Sequence, residues 1–573
     1  MPRIAVVHTL SPGKLKRISA QGRFDRIVYL QSTCPAERLQ QLARIPLRQT
    51  GFNDDPPAFF RHHEWTYDWI ETLSPSRPFE ELTLDFSSRL GLPVDHCRAA
   101  VKKTAVLAFS REFQALTFGA RLSQDNSVTV FVREPGLFQP LDLKGVSLAH
   151  DPESNAGLLI RAAGISLKLA LAILRPVKAS KASETAAIVF EQEFPEWNDS
   201  EFLAFYRYLK TRDDVVFVCP PGSEKLARLR SQGRRAEPRA VTVRGIGETL
   251  RQLGVLAGLL ASLGKHAEFP SGLRLAGIKL LEHRLRISAL LSRHRPRLYL
   301  KVRADMDPFH PVTTAIAETI GTANIGYSCG SYSYFSSTYA HIDFHRYGLL
   351  GHDFRDRIFR RAWPRSARYL LFGPFTVESA DPPKEASRPP GPPVVAAFST
   401  STGTDFFAAD SFFRSFVRDA VAAAAASKAR LLFKDKLHTP QRLEIVRAES
   451  QGKVELELLP RTSDGDPASS TIGILSRCDA ALVMGGSTIS WEALGAGKKV
   501  LVYRHPAEDH PFSRYSPRLV AHDPATLRES LQWLLGASQE EYERYSAPAL
   551  AACAKRSDGR LVKDFIESIE NEA

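Results

Sequence analysis

The chain has 573 residues, 43% hydrophobic and 24% charged, an ordinary globular composition that excludes disorder, collagen and coiled-coil arrays. At about 100–200 residues per domain, the length allows three units, each able to bury its own core. The formal net charge of +13 suits anionic partners (nucleic acid, acidic lipid, phosphorylated sugars or acidic polysaccharide) without choosing among them.

Residues 1–180 read as an accessory α/β region. Strands are expected at 4–9, 26–30 and 127–133 and a long helix at 97–122, with no chemical motif. The N-terminal apolar stretch is too short for a signal peptide and reads as the first strand. Residues 157–176 are apolar but punctuated by Arg161, Lys168 and Arg175, seven apart and so on nearly one helical face. Either these three form the solvent stripe of an ordinary surface helix, or the helix lies on an anionic membrane surface. From 186 onward strands and helices alternate, with strands at 186–190, 214–219, 240–243, 297–302 and 324–328, which predicts a parallel, doubly wound sheet. Prolines crowd residues 381–393 too densely for a sheet or helix interior, which makes them a linker. The alternation then restarts at 394–398, 430–433, 454–458, 480–484 and 499–503. The expected architecture is therefore α/β, with two Rossmann-like units, 181–380 and 394–573, behind the accessory region.

No cysteine pair has CxxC spacing and none lies near a histidine at metal spacing, so neither a disulfide framework nor a zinc site is expected and a reducing compartment fits. No apolar run reaches the ~20 residues of a membrane span. The expected location is the cytoplasm, in solution or peripheral on the inner membrane.

Ligands of open parallel sheets bind outside the carboxyl ends of the strands, which singles out three loops in the last unit. Ser399, Thr400 and Thr402 belong to a hydroxyl-rich loop after 394–398 that suits phosphate oxygens, or simply a polar turn. Lys434 and His438 follow 430–433, where they neutralise a phosphate or form a solvated turn before Pro440. The strongest signal is Gly485-Gly486-Ser487-Thr488 after 480–484, with Glu492 one turn into the next helix. Paired glycines admit close approach of a ligand, Ser487 or Thr488 is a natural N-cap, and Glu492 can accept hydrogen bonds from ribose hydroxyls.

The segment from Gly485 to Thr488, with Glu492-Ala493-Leu494 and Gly497-Lys498-Lys499-Val500, resembles the nucleotide-binding segment of GT-B glycosyltransferases, those that build bacterial capsule and other surface polysaccharides. Nucleotide-sugar 2-epimerases and teichoic-acid-type polymerases carry similar segments. The resemblance implies two Rossmann-like units facing a cleft, a nucleotide-sugar donor on the C-terminal unit, a glycan or lipid-linked glycan acceptor on the other, and no cofactor or catalytic metal. It assigns Gly486, Ser487 and Thr488 to the donor phosphates and Glu492 to the ribose. Lys434 and His438 resemble a Lys-x-His-Pro segment of enzymes using CMP-linked acidic sugars, but Thr439 interrupts it, so the base, CMP or UDP, stays open. Asp305, Asp307 and His310, after 297–302, are the candidates for the base that deprotonates the acceptor, and Gly330 matches an acceptor-side loop. Residues 341–348 are dense in polar aromatics and either line an acceptor groove or pack in the core. Two other readings are carried: a glycerol- or ribitol-phosphate transferase sharing the same site, and a non-catalytic scaffold of the same fold. Nucleic-acid binding is not expected, since no reader motif is present.

Overall fold

The computed structural model of the chain describes residues 1–51, 56–139, 141, 143–151, 155–175, 185–191, 203–243, 245–301, 307–327, 335–363, 368–374, 391–400, 410–460 and 471–572. Asp305, Gly330, Thr402 and linker residues 381–390 lie outside the described residues. The first sheet comprises β1 (Arg3–Leu10), β2 (Arg26–Ser32), β3 (Leu47–Gln49), β4 (Ser127–Val132) and β5 (Val146–His150) in the order β3-β2-β1-β4-β5. The second comprises β6 (Ile188–Glu191), β7 (Val215–Cys219), β8 (Ala236–Pro238), β9 (Leu298–Lys301), β10 (Ala323–Tyr327), β11 (Arg346–Leu349) and β12 (Arg368–Leu371) in the order β12-β11-β10-β9-β6-β7-β8. The third comprises β13 (Val394–Phe398), β14 (Arg430–Lys434), β15 (Leu456–Leu458), β16 (Ala480–Met484), β17 (Val500–Tyr503) and β18 (Val520–Ala521) in the order β15-β14-β13-β16-β17-β18. The strand pairings are parallel.

Counted from its own first strand, each sheet has the same order, 3-2-1-4-5, with one or two strands added in the later two. This is the doubly wound order, whose direction reverses between the first and fourth strands. Residues 3–150 therefore form a Rossmann-like sheet of their own, ahead of the pair that the sequence predicts. Strands with a neighbour on each side, such as β7, β13 and β16, are apolar throughout and buried at every residue, as parallel strands covered on both faces require.

The last helix, Leu561–Glu572, returns from the third unit to the second. Its Leu561, Val562, Phe565, Ile566 and Ile569 are buried with Ile188, Phe190, Phe205 and Tyr327, and the Phe565 ring stacks on Phe372 at 4.4 Å. A Cβ on Gly351 would stand 2.3 Å from the backbone of Cys553, so only glycine lets these two stretches meet.

Several local expectations are corrected. The strand expected at 240–243 is instead β8, a three-residue edge strand that ends at Pro238, its last bond to β7 made by the Arg239 amide to the Cys219 carbonyl at 2.7 Å. Of the two alternatives for residues 341–348, core packing holds for the apolar ones, while Asp343, His345 and Arg346 are half-buried. β11 runs through them between β10 and β12, and Ile342, Phe344 and Tyr347 are core residues. The helix Asn155–Leu174 packs on Ile246–Ser262 and Ala276–His294, so it belongs with the second unit.

Candidate functional site

In the third sheet β13 pairs with β14 on one side and β16 on the other, with Phe398 opposite Lys434 and Val483. The loops after all three strands leave one carboxyl edge at the point where strand order reverses, which is where such sheets bind ligands. The fold thus brings Ser399 and Thr400, Lys434 and His438, and residues 485–488 to a common edge.

Asp435, 2% exposed, ties two of these loops together. One carboxylate oxygen accepts from the Ser399 hydroxyl at 2.6 Å and pairs with Arg442 at 2.9 Å. The other accepts from the His438 amide at 2.6 Å. Ser399 Oγ also accepts from the Lys436 amide at 3.0 Å, and Arg442 donates to the Thr400 carbonyl at 3.2 Å while lying over the Phe413 ring. The Ser399 hydroxyl, expected at a phosphate, is thereby engaged in holding the loop. His438 adopts φ 50°, a conformation non-glycine residues rarely take, and its Nδ1 is buried with no hydrogen-bond partner among the described residues.

The glycine loop is shaped by close approach. A Cβ on Gly485 would stand 2.1 Å from Glu508 Oε2 and 3.1 Å from the Arg504 Cα, and Gly486 has φ 76°. Thr488 is the N-cap residue of helix Ile489–Gly495, but its side chain makes no capping bond. Ser487 Oγ lies 3.4 Å from the Ile489 amide, at the outer limit of a hydrogen bond. Ser487 is 7% and Glu492 6% exposed, so both are more enclosed than an open cleft would leave them. Beside them Trp491 packs on His510, whose ring centroid is 4.8 Å away. Burial first, then Arg357 and Arg504, push the His510 ring down to about 3, so it is neutral. His510 Nδ1 accepts from the Phe512 amide at 3.3 Å, which fixes its proton on Nε2.

A second buried polar cluster stands at the corresponding edge of the second sheet, where β6 meets β9. Glu191, the last residue of β6, is fully buried. It accepts from Arg286 at 2.6 Å and from the Tyr299 hydroxyl at 2.5 Å, and Arg239 lies 3.0 Å from its other oxygen. Burial opposes its ionisation, but Arg286, Arg239 and Lys301 overcome this and hold the carboxyl far below the usual range. Lys301 pairs with Asp307, which also accepts from the Phe309 amide at 2.9 Å. His283 accepts from Arg286 at 3.2 Å and meets the Thr313 hydroxyl at 2.8 Å, and burial lowers it to about 3.

This arrangement changes the roles expected of two residues. The His310 Nε2 accepts from the Asp343 amide at 2.8 Å, so Nδ1 donates to the Asp307 carbonyl at 2.7 Å. Both ring nitrogens are committed to the backbone in a fully buried ring, which leaves neither to take a proton from an acceptor. The Asp307 carboxylate, its side chain 7% exposed, is likewise paired with Lys301. Asp435, Arg442 and Glu508 escaped the sequence reading, as did the cluster around Glu191. Asp435 sits between Lys434 and Lys436, in what reads as a solvated charged turn. Glu508 lies in the polar run from His505 to His510 just after β17, and that position was the available signal.

No family model matches the chain, and no curated protein matches it. Among solved structures it is similar to MurG of Acinetobacter baumannii, with 11% identity over 67% of this chain and 99% of that one and a TM-score of 0.38. It is similar to MnaA of S. aureus with UDP at 9% identity over 68% and 97%, TM-score 0.43, and to Anabaena HepE with UDP and glucose at 13% identity over 67% and 99%, TM-score 0.37. At these identities and TM-scores the functional reading rests on the residues described above.

Proposed function

We propose that the chain is a glycosyltransferase that moves a sugar from a nucleotide-activated donor to a surface polysaccharide or lipid-linked glycan. The observation that carries this reading is the convergence of the 485–488 glycine loop, Lys434 and His438 on the reversal point of the third sheet, with Glu492 behind the loop. Gly486, at φ 76°, turns the loop with no side chain of its own, so donor phosphates can approach the amides that follow it, while Gly485 makes room for Glu508 and Arg504. Lys434 supplies a positive charge as negative charge develops on the leaving nucleotide. Asp435 and Arg442 hold the neighbouring loops in place, so these groups are fixed before the donor arrives. The acceptor would enter from the second unit, whose carboxyl edge carries the Glu191 cluster.

The test is to incubate the purified chain with UDP-, GDP- and CMP-linked sugars and follow release of free nucleotide with and without glycan acceptors. Acceptor-stimulated release from one donor class supports transfer. Nucleotide binding without turnover of any donor supports the scaffold reading instead.

A further inference from the structure

Among the described residues, seven of the twelve well-exposed large hydrophobic side chains lie on two helices that pack together, Asn155–Leu174 and Ile246–Ser262. An ordinary surface helix buries its apolar face and shows water a polar one. Asn155–Leu174 buries Leu158, Ala162, Leu169 and Ile173, yet its outward face carries Leu159, Ile160, Leu167, Leu171 and Leu174, each 57–73% exposed. Ile246 and Leu250 of the neighbouring helix are 82% and 64% exposed. The exposed stripe from 159 to 174 is about 23 Å long at ~1.5 Å per residue. Soluble surfaces rarely hold so continuous an apolar patch without an occupant.

Charge decides between occupants. Arg161, Lys168 and Arg175 run along one edge of this stripe, and the helix contains no acidic residue. Lys168 and Arg175 make no ion pair among the described residues, and Arg161 donates to Ser271 at 2.9 Å. A second copy of the chain docked helix to helix would set cation against cation. An anionic bilayer offers acyl chains to the leucines and phosphates to the basic edge. The inner face is committed to the protein core, and no helix among the described residues is long and apolar enough to cross a membrane, so the helix lies along the surface.

We propose that the face formed by Asn155–Leu174 and the start of Ile246–Ser262 seats the protein on an anionic lipid surface. The inference is independent of the donor-site reading. The full chain is co-sedimented with phosphatidylcholine vesicles with and without phosphatidylglycerol, alongside Leu167→Ser/Leu171→Ser and Lys168→Glu/Arg175→Glu. The wild type should bind the phosphatidylglycerol vesicles and lose binding as salt rises. The apolar double variant should lose at least about tenfold in partition, and the charge variant at least about thirtyfold at low salt, the effect of two charges near an anionic surface. Both pairs are exposed, so melting temperature and its response to nucleotide should match the wild type. Wild type that stays in the supernatant, or variants that sediment equally, would overturn the proposal. So would a concentration-dependent dimer that Leu167→Ser/Leu171→Ser dissolves without any binding to vesicles.

Discussion

Glu492 is the residue on which the proposed donor site turns, and its burial sharpens the test of its role. Glu492→Gln keeps the side chain's size and removes its charge. A carboxylate that accepts from donor hydroxyls contributes about 1.5–3 kcal/mol, so the variant should bind nucleotide at least about tenfold more weakly with an unchanged melting temperature. A lower melting temperature with unchanged affinity would assign Glu492 to packing. Gly485→Ala is predicted to fail in both respects. Its Cβ would press on the Arg504 Cα as well as on the Glu508 carboxylate, and overpacking of this kind costs roughly 1–3 kcal/mol. At this scale the sequence is a partial guide. The glycines and hydroxyls of 485–488 mark their loop because few folds need that combination. Ser399 and His310 look the same in the sequence whether they meet a ligand or the fold's own backbone. Only Asp435 and the Asp343 amide, distant in the chain, decide it.

Elements show the same division between local and distant information. Fully apolar strands such as β7, β13 and β16 are readable because both faces are covered. β3, β8, β15 and β18 have two or three residues and carry no period to read. β11 is hidden by the polar aromatics around it, since its burial depends on β10 and β12 as neighbours. The Glu191 cluster binds β6 and β9 to the helix Ala276–His294 through charges that are buried together. Glu191→Ala removes the counter-ion of Arg286 and Arg239 in the interior. It should cost about 3–5 kcal/mol, read as a large fall in melting temperature. A variant as stable as the wild type would mean that the arginines find solvent.

The whole molecule carries a pH dependence set by its buried histidines. His62, His283 and His510 are pushed down to about 3, and His63, His310 and His341 well below the ordinary value, in each case chiefly by burial. Unfolded, these rings take up protons near pH ~6.5, and folded they do not. Stability is therefore fully present above that value and lost as pH falls below it, by up to about 1.4 kcal/mol per pH unit for each ring. His96, raised by its hydrogen bond to Asp343, works in the opposite sense. Glu191 and Asp307 are held low by their cationic partners, so they lose their contribution only in the carboxylate range. Calorimetry from neutral pH to about pH 5 should show the melting temperature falling steadily, and a flat or rising profile would contradict this account. The three-unit plan is only partly legible for a related reason. The two later units announce themselves through strand alternation on either side of a proline-dense stretch of sequence. The first unit has no loop motif, and the return of Leu561–Glu572 to the second sheet depends on contacts with residues far away in sequence. The most direct test of the central claim is a titration of the wild type and Glu492→Gln with UDP, GDP, CDP, CMP and ADP, read by calorimetry and thermal shift. The account predicts that at least one nucleotide binds and raises the melting temperature of the wild type, and binds the variant at least about tenfold more weakly. A wild type that responds to none of them would contradict it.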